Sequence, residues 1–405
     1  MSIASTHPQP NGRPRSASRL IVPLAWRNLT EGKMRLLASV GGATFAVILM
    51  LVQNGFRNAL LDNMVAVASH LDGQLMVTNR NRYVLPEPLS FPRQRLDLVE
   101  SVPGVASARP FFFSDDHETR WRNPASGLTR RIRVLAFDPR DDLFDLEGVR
   151  GKVDQLRQTG VVLADVRSKS EIYGKFAEGV ESEVSGRKFR VGGTFDLGTD
   201  FKSNGTLVMS ARNFLDTYPA RRGASPAGDR VDVGVIRLDS GANAELVRRA
   251  VAERLPADVI VLTRAALMHK EQAFWEKVTP VGIVFDIGVV MGFVVGLAIC
   301  YQVLSSDIDD HLPEFATLKA MGYSNRQLMR TILAEAWYLA LMGYATALAT
   351  AAVLFVWLER QTGLNMRLKP FDSALIFGLT VAMCLVSGGL AGRRLTSVDP
   401  ADLYA

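Results

Sequence analysis

Apolar and polar positions alternate along this chain on two different length scales. Four runs stay apolar for a full membrane thickness: Leu36 to Phe56 ("LLASVGGATFAVILMLVQNGF"), Val281 to Leu304, Ile332 to Leu358 and Ala374 to Gly392. Crossing a hydrocarbon core of about 30 Å takes roughly 20 helical residues, and only helices or closed barrels satisfy their own backbone there. The pattern predicts spanning helices over 36–56, over 266–304 (a stalk continued by the second span), over 331–358 and over 374–392. The first and fourth runs carry no charge, the second holds only Asp286 and the third only Glu335. No small-x-small cleavage site follows the first run, which is also longer than a signal-peptide core, so a retained helix is expected.

Between the first two spans the pattern shortens. "GQLMVTN", "ARPFFF", "RIRVLAF", "GVVLAD", "KFRVGGTF", "GTLVMS", "VDVGVIRL" and "DVIVLT" read as strands bounded by Gly, Pro or Asp. "FPRQRLDLVESVPGV" reads as a helix with Pro92 near its first turn, and "GANAELVRRAVAERLP" as another with Leu246, Ala250, Val251 and Leu255 on one side. Residues 57–265 are therefore expected to form a large α+β domain, of one or two lobes, between spans 1 and 2. "RAALMHKEQAFWEKVTP" reads as a stalk helix with a kink at Pro280.

The loop 305–330 carries its own start and stop signals. Pro313 suits a first helical turn, Glu314 complements the N-terminal dipole, and Gly322 tolerates the left-handed conformation that ends a helix. Ser324 and Gln327 then have capping-box spacing. The prediction is a short helix of about nine residues between two sharp corners, with Leu312, Phe315, Ala316 and Leu318 as its apolar side. Two readings stand: a device for receiving force, or a helix resting on lipid headgroups.

Charge sets the orientation. Arg13, Arg15, Arg19, Arg27, Lys33 and Arg35 precede the first span, opposed only by Glu31, which predicts a cytoplasmic N-terminus. Four crossings return the C-terminal tail 393–405 to the same side and make the α+β domain extracytoplasmic. The short loop 359–373, with Arg360, Arg367 and Lys369, runs against this count. Residues 1–18 read as a disordered tail. Residues 19–35 read either as an amphipathic helix at the inner interface or as an extension of the span. The net charge of +6, from 47 Lys and Arg against 41 Asp and Glu, follows from this topology and calls for no nucleic acid.

Catalytic chemistry finds no support. "GVRGKV" and "IYGKF" lack the hydroxyl residue and spacing of a phosphate loop. His7, His70, His117, His269 and His311 are scattered, and the two cysteines, Cys300 and Cys384, lie in spans as small buried apolar residues. "FFFSDDHETRW" reads as a strand entering a polar turn. No catalytic, cofactor or metal residue is predicted, and any ATP is expected to be bound and hydrolysed on another chain. Gly288, Gly292 and Gly296 line one face of the second span, for a dimer contact, a sliding surface or packing within the protomer. Gly388 and Gly392 repeat that spacing. Asp286 is expected to be solvated near the outer end of its span, and Glu335 to snorkel or pair locally one turn past Arg330.

"HLPEFATLKAMGYSNRQLMRTILAEA" resembles the coupling-helix signature of MacB/FtsX-like permeases of ABC systems, a Glu-x-Ala-x-x-Lys-Ala-x-Gly pattern met by Glu314, Ala316, Lys319, Ala320 and Gly322. "RRLTSVDPADLYA" is similar to the closing motif of that class through Arg393, Arg394, Asp399, Pro400, Ala401 and Leu403. "PLAWRNLTEGKMRLLASVGGATFAVILMLVQNGFRNAL" and "YQVLSSDIDDHLPEFATLKAMGYS" look closer to the DevC branch. The resemblance implies a homodimeric exporter subunit of the bacterial inner membrane, carried on two cytoplasmic ATPase subunits. Glu314, Phe315, Ala316, Leu318, Lys319, Ala320 and Gly322 would seat in a groove of each ATPase. It also implies a periplasmic membrane-fusion adaptor, an outer-membrane channel, contact with membrane lipid, and an amphiphilic cargo such as a glycolipid. A lipoprotein-extraction permease and an FtsX-like regulator of a cell-wall hydrolase remain as alternatives.

Overall fold

A computed structural model of the chain describes residues 33–278 and 280–397. The expected tail 1–18, most of the helix placed at 19–35, and the closing stretch 398–405 lie outside the described residues. Four helices are long and apolar enough to cross a membrane: Leu36–Met64, Gly282–Asp310, Asn325–Thr362 and Pro370–Arg393. A large α+β domain, the inter-span domain, lies between the first two. The chain divides into two compact units. One holds the first helix as far as Asn54 with Phe285–Leu354 and the chain from Leu368; the other holds Gly55–Val284 with Phe355–Arg367.

In the spanning unit, small residues let the helices close on one another. A Cβ on Gly288 would stand 2.6 Å from the Gln53 side chain, and one on Gly292 would stand 2.9 Å from Met50 Cγ. One on Gly296 would overlap Met383 and approach Ala46 Cβ to 2.7 Å. The glycine stripe of the second helix therefore faces the first and fourth helices of the same chain. Hydroxyls add polar contacts between helices, where a buried polar group must find a partner. Thr44 and Thr346 lie 2.6 Å apart, and Ser387 Oγ donates to the Leu297 carbonyl at 2.8 Å.

The inter-span domain is built on one mixed sheet. Its strands are β1 (Leu75–Asn79), β2 (Phe91–Pro92), β3 (Val105–Ser114), β4 (Arg120–Arg122), β5 (Thr129–Arg131), β6 (Arg133–Phe137), β7 (Val161–Asp165), β8 (Glu181–Val184), β9 (Arg187–Phe195), β10 (Thr206–Ser210), β11 (Arg230–Val231), β12 (Val233–Leu238) and β13 (Val259–Thr263). Eleven of them run in the order β13-β1-β12-β3-β6-β10-β7-β9-β8-β4-β5, while β11 pairs with β2 separately. The ten-residue β3 joins the two halves, pairing β12 along its start and β6 along its end.

All eight expected strands are present. They read as continuous apolar runs because both sheet faces are buried. Leu75, Val77, Phe112, Val134, Leu207 and Ile236 pack on one side with helices Gln94–Glu100, Ala211–Thr217 and Ala244–Arg254. Met76, Phe111, Leu135, Val208 and Val235 pack on the other with Val67, Leu71 and the stalk residue Leu267. Helix Ala244–Arg254 corrects the expected face: Val247 and Val251 are buried, whereas Leu246 is 65% exposed. Pro92 is also displaced from the helix start, since it pairs with Arg230 across β2 and β11.

Helix boundaries move too. The first helix runs on to Met64, burying Ala59 and Leu61. The stalk is the separate helix Arg264–Val278, and the second spanning helix restarts at Val281 after Pro280. The fourth begins at Pro370, where the missing N–H costs nothing.

Candidate functional site

The loop between the second and third spanning helices is more fully tied than its sequence suggests. The second helix continues through "SSDIDD" to Asp310, because Leu304, Ser305 and Ile308 keep one face of it buried. At the first corner His311 is buried, and its Nδ1 lies 2.9 Å from the Asp307 carbonyl. The His311 carbonyl accepts from the amides of Glu314 and Phe315, each at 3.1 Å. Sequence reading set His311 aside as one of five scattered histidines; its place between Ile308 and Leu312 was the available signal.

Leu312–Ala320 follows as a nine-residue helix. Its end is a Schellman closure: Tyr323 N–H donates to the Leu318 carbonyl at 3.1 Å, and Gly322 N–H to that of Lys319 at 3.0 Å. Gly322 stands at φ +94°, a conformation that disfavours any side chain. The third helix then starts at Asn325 behind half of the expected capping box. Gln327 Oε1 accepts from both Ser324 N (2.8 Å) and Ser324 Oγ (3.0 Å).

This places each residue of the expected coupling set. Phe315 and Ala316 are buried and anchor the helix to its own chain, and Leu318 and Lys319 are half-buried. Glu314, Ala320 and Gly322 are exposed. Thr317 and Met321 share the exposed face with Glu314, at spacings of three and seven residues. Met321, 64% exposed, is an apolar tip that sequence reading did not single out. Glu335, expected to snorkel or to pair locally, is buried on the third helix at 1% exposure, which excludes snorkelling. Asp286 is exposed on the surface of the second helix.

The stalk helix carries a second cluster. Leu267, Glu271 and Trp275 lie on its buried side, where Trp275 packs with Leu61 of the first helix and Arg57 pairs with Glu276 at 3.0 Å. Glu271 Oε1 accepts from the Leu85 amide at 2.8 Å, while Oε2 has no hydrogen-bond partner. Burial pushes the Glu271 carboxyl up to about 7, against the pull of the Leu85 amide, Arg133 and Arg82, with Asp200 adding to the rise. A carboxyl raised in the folded chain favours folding in its protonated form. That stabilisation is full below the ordinary value of 4.5 and is lost as pH rises through about 7. Thermal unfolding of the whole chain should therefore shift downward between about pH 5 and about pH 8, and Glu271→Gln should flatten that dependence. An unchanged slope in the variant would show that another group carries it.

Among the described residues no cluster of three or more metal-ligating side chains forms. The loop helix presents one face and is anchored by the other.

These features define a class: a membrane protein with four candidate spans among its described residues and a large domain inserted after the first. Two family models match the chain, a MacB-like periplasmic core domain over residues 36–254 and an FtsX-like permease C-terminal region over residues 287–400. The chain belongs to the MacB/FtsX-like family of ABC permeases and is a multi-pass membrane protein. Permeases of this family generally work with a cytoplasmic ATPase. The periplasmic region of MacB from Actinobacillus actinomycetemcomitans aligns at 14% identity, over 52% of this chain and 96% of that one, with a TM-score of 0.35. The extracellular domain of the noncanonic ABC-type transporter YknZ from Gram-positive bacteria aligns at 13%, over 47% and 98%, with a TM-score of 0.33. No curated protein matches the sequence.

Proposed function

We propose that this chain is the permease subunit of an ABC-type exporter in the bacterial inner membrane and that it transmits motion without catalysing chemistry itself. Its termini lie in the cytoplasm, where a homodimer of the chain carries two ATPase subunits on the Leu312–Ala320 helices. ATP-driven closure of the ATPases displaces these helices, and the spanning helices carry the displacement to the inter-span domain in the periplasm. There a membrane-fusion adaptor and an outer-membrane channel continue the route for an amphiphilic cargo, in the manner of the DevC branch. The supporting observation is the loop helix, held at both corners by hydrogen bonds and anchored by Phe315 and Ala316 while Glu314, Ala320 and Met321 face away.

Glu314→Lys should leave folding and insertion intact, since the side chain is exposed, while abolishing permease-stimulated ATP hydrolysis in the assembled complex. Gly322→Trp should do the same by straining the corner at φ +94°, at a cost of about 1–2 kcal/mol. Wild-type stimulation in both variants would overturn the reading, as would failure of the chain to bind any ATPase on purification from detergent.

A further inference from the structure

The compact unit built on the inter-span domain also takes in the ends of two spanning helices, from Gly55 of the first and from Phe355 of the third. One short loop, Asp196–Asp200, holds both. Asn63 Nδ2 of the first helix donates to the Thr199 carbonyl at 2.8 Å. From the third helix, the Thr362 carbonyl accepts from Thr199 Oγ1 at 3.3 Å and the Gly363 carbonyl from the Thr199 amide at 3.4 Å. The two backbones meet glycine to glycine. Gly198 has φ +100° and Gly363 φ +73°, and a Cβ on Gly363 would stand 2.9 Å from Thr199 Oγ1 and 3.2 Å from the Arg167 carbonyl. Only a residue without a side chain allows this crossing.

The loop is in turn fixed to the sheet. Asp165, at the end of β7 and wholly buried, accepts from the amides of Arg167 (3.0 Å), Leu197 (3.3 Å) and Gly198 (3.0 Å). Arg167, just beyond it, forks between two carboxylates: Asp196 of the loop and, at 2.7 Å, Glu359 of the third helix. The forked guanidinium holds direction as well as charge.

We infer that Asp165 and Arg167 are positioning residues of a clamp that locks the ends of the first and third helices to the sheet at β7, so that displacement of either helix moves the sheet with it. The clamp stands on the contacts alone, whereas its use as a transmitter rests on the proposed function. The two are tested separately. Spin labels at Lys188→Cys on β9 and Arg360→Cys on the third helix, with the buried Cys300 and Cys384 changed to Ala, report the helix-to-sheet distance in the purified full chain without any ATPase. A single narrow distance is expected. Arg167→Ala and Gly363→Val should each replace it with a broad distribution while circular dichroism and the unfolding transition remain those of a folded domain, and Arg167→Lys should restore it in part. Distributions superimposable on that of the unsubstituted pair in both variants would overturn the clamp. In the ATPase complex, Arg167→Ala should keep ATP hydrolysis but lose the nucleotide-driven shift of the Lys188 label. Persistence of that shift would overturn the transmitting role and leave the ATPase assignment standing.

Discussion

Asp232→Ala is expected to lower the unfolding transition of the inter-span domain sharply. Asp232 is wholly buried, and its two oxygens hold two guanidinium groups and a strand amide together. Arg82 Nη2 lies 2.5 Å away, with only 1% of its side chain exposed, and Arg221 Nη2 lies at 2.8 Å. The Phe113 amide donates to Oδ2 at 2.9 Å, which ties β3 to the same carboxylate. Burial pushes the Arg82 guanidinium down from its ordinary value, and Asp232 is the main force opposing that fall. Removing the carboxylate leaves two neighbouring cations with backbone carbonyls as acceptors, those of Leu85 and Leu89 for Arg82 and that of Phe113 for Arg221, but no counter-charge between them, a loss of about 3–5 kcal/mol against a typical domain stability of about 5–15 kcal/mol. Asp232→Asn keeps acceptors for the amide and should fall between the two. Adding Arg82→Met to Asp232→Ala should recover part of the loss, because it takes one unpaired cation out of the core. The check is thermal unfolding of the detergent-solubilised chain with limited proteolysis of the domain. A wild-type transition in Asp232→Ala would show that water reaches the cluster.

None of this network was legible in the sequence. Arg82 and Asp232 stand 150 positions apart, and no local pattern joins them. What was legible followed from periodicity and length. The four spans announce themselves because lipid demands long uncharged helices, and the eight strands because a sheet covered on both faces needs unbroken apolar runs. Three of the strands missed were polar pieces toward one end of the sheet, "RWR", "TRR" and "ESEV", which bury little besides Trp121 and Val184, and the other two were the two-residue β2 and β11.

In the candidate site, the stop at Gly322 and the start at Ser324 were readable because caps are local chemistry. The first corner was misread. The span was placed to end at Leu304, where the apolar run stops, and acids at a helix C-terminus oppose the dipole. Burial of Ile308 and His311 outweighs that term and carries the helix to Asp310. The misplaced face of Ala244–Arg254 has a similar cause. Apolar residues at 246, 247, 250 and 251 allow two stripes, and only the sheet beneath chooses Val247 and Val251.

Gly296→Leu should be the most damaging change in the membrane unit. Helices in lipid gain little from the hydrophobic effect, so their association depends on close contact at small residues. At Gly296 the second helix meets two neighbours together, Ala46 of the first and Met383 of the fourth. A leucine there must push helices apart, and overpacking of this kind costs about 1–3 kcal/mol even where the backbone can yield. A nearby pair of side chains reports the result. Cys300 Sγ of the second helix lies 3.8 Å from Cys384 Sγ of the fourth, so mild oxidation of the native protein should join them efficiently. Gly296→Leu should insert normally yet lose that cross-link and run as a broad peak in size-exclusion chromatography. Gly378→Leu and Gly389→Leu serve as controls, since a Cβ at either position meets nothing within 4 Å and both should retain the cross-link. Equal cross-linking in Gly296→Leu and the controls would mean that the second and fourth helices do not pack through this glycine.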